Sequence, residues 1–111
     1  MSIYVGNAFS LRMISKLLDT GAIMFPEISE VDSGIVSKVL QANEFISCVG
    51  HVDTANVMSN ILKVVVRPQR LNVALEIGDV LYVCQVVGGR LPEGTTELPQ
   101  GISLKWYYVE I

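Results

Sequence analysis

Apolar residues recur along this chain with two different periods, and the alternation between them sketches a fold. Residues 2–6, SIYVG, read as a short apolar strand. Phe9, Met13 and Leu17, flanked by Ile14 and Leu18, then repeat at helical spacing and make a broad core-facing stripe. Asn7 is placed to cap that helix, with Ser10 at its third position, and Gly21 to end it. Ala22 to Phe25 reads as a second strand bounded by Pro26. From Val31 to Asn43 the helical period returns through Ile35, Val36, Val39 and Leu40, with Asp32 as the cap. Glu44 to Val49 fits either a strand or a loop. Asp53 and Thr54 offer successive caps for a helix running to Leu62, along which Ala55, Met58, Ile61 and Leu62 recur.

Beyond Lys63 the period shortens to two. Leu71, Val73 and Leu75 alternate with Asn72, Ala74 and Glu76, as in a half-buried strand. Ile77-Gly78-Asp79 reads as a turn, and Val80 to Val87 as a nearly continuous apolar strand. The two make a hairpin whose second strand is central. Gly88-Gly89 stops that strand, and Arg90-Leu91-Pro92-Glu93-Gly94 opens a loop with room for one helical turn within residues 95–101. Ile102 to Ile111, with Trp106, Tyr107 and Tyr108, closes the chain as an aromatic strand; the rings serve sheet packing or a base-stacking platform. Strands interspersed with three helices predict a single α/β domain over residues 1–111 with a mixed sheet flanked by helices.

Composition sharpens this picture in two places. Half of the 111 residues are hydrophobic and 17% are charged, enough for one packed core but thin in polar cover. Burial of one face against a second copy would relieve that shortage, so a homo-oligomer is expected. The net charge of -3, from eight basic and eleven acidic side chains, comes without any basic block. That argues against a duplex nucleic acid held through its backbone, but not against a small anion. Cys48 and Cys84 read as reduced thiols, and neither a signal peptide nor a membrane span is visible. The expected location is cytoplasmic.

Few residues offer chemistry. No zinc-type spacing, phosphate loop or acyl-transfer triad appears, and neither a metal nor a cofactor is expected. His51, the one histidine, falls between an extended segment and the first turn of a helix, where anions are favoured. It is either a reactive group or an ordinary turn residue. Arg90 and Glu93 follow a buried strand, a usual place for site residues, though also for a surface ion pair. Imidazole, with a pKa of about 6.5, suits proton transfer near neutrality. Guanidinium offers a fork that fits two phosphate oxygens. Without a metal, this set suits cleavage of RNA by its own 2′-hydroxyl, where the tethered nucleophile needs alignment, charge neutralisation and a proton for the leaving 5′-oxygen.

Three stretches carry a more specific signal. YVGNAFS at residues 4–10, VGHVDTANVMSNIL at 49–62 and RLNVALEIGDVLYVCQVVGGRLPEG at 70–94 resemble the viral ring nuclease family of type III anti-CRISPR proteins. The resemblance runs in order over nearly the whole chain. It implies a metal-independent enzyme that binds cyclic tetra-adenylate in a pocket shared by two subunits. Cleavage to linear di-adenylates with 2′,3′-cyclic phosphate ends would switch off the effectors that this messenger activates. The family's catalytic histidine falls on His51, and its RLxEG arginine and glutamate on Arg90 and Glu93. Asn7, Ser10, Arg70 and Gln85 match its ligand-positioning residues. His51 is then the general acid, Arg90 the phosphate ligand, and Glu93 either orients His51 or assists deprotonation of the 2′-hydroxyl.

Two departures mark this chain. The family's Gly-His-Asp-Ser-Thr reads Gly50-His51-Val52-Asp53-Thr54, which puts an acidic Asp53 at a ligand-facing position. Gly88-Gly89 also lengthens the approach to Arg90 by one residue. A dimer that sequesters or senses the cyclic nucleotide without cutting it is the main alternative, and a structural α/β dimer the next.

Overall fold

In the computed structural model, which describes residues 1–111, five strands form one sheet in the order β2-β5-β4-β1-β3. They are β1 (Ile3–Gly6), β2 (Glu27–Val31), β3 (Ile46–Cys48), β4 (Val80–Val87) and β5 (Ser103–Glu110). β1 pairs in parallel with both β3 and β4, while β5 runs antiparallel to β4 and β2. Only β5 therefore opposes the others, and the sheet is mixed, as expected. β4 is central, and its apolar run follows from burial on both faces. Val80, Tyr82 and Cys84 join one core cluster, and Leu81 and Val83 join the other.

The first cluster is roofed by α2 (Ser33–Ala42) and α3 (Val52–Leu62), which contribute Val36, Leu40, Ala55, Met58 and Leu62. Asp32 caps α2 as predicted, its carboxylate accepting the Gly34 N–H at 2.7 Å. Lys63, in the left-handed region at φ 57°, ends α3. The second cluster lies under the other face and takes in Ile14, Val73 and Leu75. Residues 44–49, open between strand and loop in the sequence, are both: Glu44 and Phe45 lead irregularly into β3, which takes only Ile46–Cys48.

Four expectations are corrected. Asn7 caps no helix: a 3-10 turn, Leu11–Ile14, leads into a short α1 (Ser15–Asp19), with Ser10 before the turn and making no side-chain cap. Ala22 to Phe25 is not a strand; Ile23 and Phe25 are exposed, and β2 begins only after Pro26. Leu71 to Leu75 forms no hairpin with β4, whose neighbours are β1 and β5. Its alternation is real, since Val73 and Leu75 are buried, but they belong to a crossing segment beneath the sheet. That segment makes one bond to Met13, the Leu75 N–H donating to its carbonyl at 2.7 Å, and no strand ladder. Residues 95–101 hold no helical turn. Hydrogen bonds from Thr95 N–H to the Pro92 carbonyl and from Ile102 N–H to the Pro99 carbonyl close simple turns instead.

Unequal strand lengths create the feature that matters most. β1 ends at Gly6 opposite Val83, and β3 ends at Cys48 opposite Gly6. β4 continues to Val87 with only β5 beside it. The carboxyl ends of the parallel strands thus form a step, with the projecting end of β4 as its wall. In open α/β sheets such a crevice is the usual place for a ligand.

Candidate functional site

The residues that follow β1 and β3 are fixed by the strands before them. Gly6 lies so close to β3 that a Cβ there would stand 2.8 Å from the Cys48 Sγ. Beyond it, the half-buried Asn7 accepts the Gly50 N–H on Oδ1 at 3.5 Å. Residues 67–70 run along the outer edge of β3. The Ser47 hydroxyl donates to the Arg67 carbonyl at 2.6 Å, and the Gln69 N–H donates to the Val49 carbonyl at 2.7 Å. This brings Arg70 against Gly50, where its Nε donates to the Gly50 carbonyl at 3.3 Å. The peptide before His51 is thus held from both sides.

His51 is itself the N-cap of α3, two residues before the first cap read from the sequence. Its backbone is extended and its side chain makes no capping bond. His51 is exposed, and its side chain leaves the first-turn amides of α3 uncapped. Asp53 and Thr54 lie inside the helix; Thr54 is buried and Asp53 half-buried.

A cavity of about 540 Å³ occupies the step. Asn7, His51, Asp53, Thr54, Gln85 and Arg90 supply its polar lining. A second hollow of about 480 Å³ shares Asn7 and His51 and adds Arg70 and Asn72. Of the eight residues singled out in the sequence, five therefore line one cavity and Arg70 lines its neighbour. Ser10 and Glu93 line neither. Both are exposed, Ser10 ahead of the 3-10 turn and Glu93 next to Gly94 on the loop after β4. The sequence marks Thr54 only as a cap and Asn72 only as the polar side of a strand. No local pattern distinguished either as a cavity residue.

Cys84 also lines the first cavity and Cys48 the second. Burial pushes the Cys48 thiol up to about 11 and the Cys84 thiol up to about 12, so both are protonated near neutrality and unsuited as nucleophiles. The first cavity thus brings together one imidazole, His51, and one guanidinium, Arg90, with Arg70 in the adjoining hollow. No three His, Cys, Asp or Glu side chains converge as metal ligands. No helix is long and apolar enough to cross a membrane.

Comparison with known proteins agrees with this architecture. The chain is 26% identical over 118 residues to the uncharacterised protein ORF116 of Acidianus filamentous virus 1, covering all of this chain and 97% of that one. Its fold superposes on B116 of Sulfolobus turreted icosahedral virus with a TM-score of 0.82, at 21% identity and with full coverage of both chains. The family model described as STIV B116-like matches residues 3–106. The chain therefore belongs to the STIV B116-like family, the viral ring nuclease family that its three sequence motifs resemble.

Proposed function

We propose that this protein is a metal-independent ring nuclease that opens cyclic tetra-adenylate as a homodimer, and so silences type III CRISPR signalling. The observation that carries the reading is the meeting of His51 and Arg90, with Asn7 and Gln85, in one cavity at the strand ends. A pocket for one drug-sized molecule holds roughly 300–1,000 Å³. One protomer's cavity, at about 540 Å³, falls in that range, and a ring of four nucleotides calls for two copies. A twofold dimer would present one His51 to each of two opposed phosphates. Exposed Val52 beside His51 and Leu71 beside Arg70 offer apolar contacts at such a rim.

In each cut the ribose 2′-oxygen attacks the adjacent phosphorus in line with the 5′-oxygen. The new O2′–P bond forms as the P–O5′ bond breaks, and the 2′-proton passes to a base. Protonated His51 gives its proton to the departing 5′-oxygen, while Arg90 neutralises the non-bridging oxygens. Asn7, Arg70 and Gln85 hold the ring so that attack is in line. Two cuts leave two linear di-adenylates, each ending in a 2′,3′-cyclic phosphate. Glu93, outside the cavity, acts as the base only if ligand binding draws its loop inward; otherwise it helps to place that loop. Its position is the observation that favours the second reading, a dimer that binds the ring and leaves it intact.

Incubation of the purified chain with cyclic oligoadenylates of several ring sizes, in excess EDTA, separates these readings. Linear di-adenylates from the four-membered ring support the nuclease. Retained intact ring supports sequestration, and neither binding nor cleavage overturns both.

A further inference from the structure

The carboxylate of Asp53 faces two tasks. As a cavity residue it would oppose a phosphate; as a hydrogen-bond acceptor it would hold something in place. The geometry points to the second: we propose that Asp53 is a positioning residue that clamps the Arg90 loop onto α3, and not a ligand for the anion. Its Oδ1 accepts the Gly94 N–H at 3.0 Å. This ties the Arg90-to-Gly94 segment to the first turn of the helix that His51 caps. The half-buried side chain also lies where the helix dipole favours a negative charge.

A second tie falls on the same stripe of the helix. Asn60, seven residues and two turns further along α3, donates from Nδ2 to the Thr96 carbonyl. Gly94 and Thr96 are thus laid along one helix face. The base of the loop is pinned separately, because Gly88 approaches Gly101 so closely that a Cβ would meet its carbonyl oxygen at 2.3 Å. Arg90 sits between the pinned base and the Asp53 clamp. It is exposed, so these fixtures rather than core packing set its reach into the cavity.

The role in turnover rests on the proposed nuclease reading; the clamp itself does not. Hydrogen exchange of the Gly94 amide is measured in the wild type, Asp53→Ala and Asp53→Asn, beside single-turnover cleavage and affinity for cyclic tetra-adenylate. Loss of an acceptor of this kind should speed Gly94 exchange by about tenfold or more in Asp53→Ala. Misplacing Arg90 should slow cleavage by about tenfold to a hundredfold, with affinity nearly unchanged. Asp53→Asn keeps an acceptor oxygen without the charge and should recover most of both. Unchanged Gly94 exchange in Asp53→Ala, faster cleavage or tighter ring binding in that variant, or an asparagine variant no better than alanine would each overturn the clamp. If the wild type cuts no ring, the nuclease reading fails and the exchange data alone decide the clamp.

Discussion

The cavity has two walls built on different principles. One carries Asn7 and His51 at the ends of β1 and β3. There Val5 and Val49 are fully buried, and short connections leave each side chain where its strand points it. The other carries Arg90 on residues 88–102, a loop held by two side-chain hydrogen bonds to α3 and a glycine contact at its base. Moving the first wall requires unpacking the core, whereas moving the second requires the loss of only a few local contacts. On the proposed mechanism the proton donor, His51, is thus placed by the fold, and the arginine assigned to the phosphate by a detachable segment. Segments of the second kind lie at the low-stability end of a protein and are the ones able to rearrange around a ligand.

The comparison is broken most severely at His51, the proposed proton donor. His51→Ala should slow ring cleavage by about 10²–10⁴-fold while ring affinity stays close to wild type; a matching loss of affinity would make His51 a binding residue. Next comes the packed wall. Met58, fully buried on α3, should cost about 2–5 kcal/mol on truncation to alanine, read as a shift in the urea midpoint. Gly88→Ala attacks the loop wall instead. Its φ of +99° and the Gly101 carbonyl leave no room for a methyl group. Strain of this kind is of order 1–3 kcal/mol, and the displaced Arg90 should slow cleavage by about a hundredfold. A larger stability loss for Gly88→Ala than for Met58→Ala would reverse the assignment of rigid and detachable walls.

The smallest effect is alkaline. Burial raises Cys48 to about 11 and Cys84 to about 12, from about 9 in the unfolded chain. Between those values the folded state retains protons that the unfolded state releases. Their contribution to stability is therefore complete below pH 9 and is lost as pH rises through 11 to 12. Urea midpoints should change little on this count between pH 6 and 8 and fall above 9; a rise above 9 would mean that the thiols are not buried as described.

The packed wall was also the more legible in sequence. α2, α3, β1, β4 and β5 each announce themselves by period or by an unbroken apolar run, because burial on one face or two dictates those patterns. Period two misled at Leu71 to Leu75, where Val73 and Leu75 are buried by an extended crossing segment that finds no ladder partner. Alternation reports burial and extension; strand pairing is decided by which neighbours the rest of the chain supplies. The same limit explains Asn7, whose local cap signal yields to a long-range bond with Gly50. His51 and Arg90 stood out by residue type and motif. The tie between Asp53 and Gly94 spans 41 positions, and no local pattern encodes it.

The proton transfer itself is tested most directly by replacing the bridging 5′-oxygen of each reactive linkage in cyclic tetra-adenylate with sulfur. A thiolate, with a pKa near that of free cysteine at about 8.5, departs without needing a proton, whereas an alkoxide does not. Wild type and His51→Ala should therefore cleave the sulfur-bridged ring at similar rates, although they differ by orders of magnitude on the natural one. A defect in His51→Ala that persists undiminished on the sulfur-bridged ring would contradict the role of His51 as the acid.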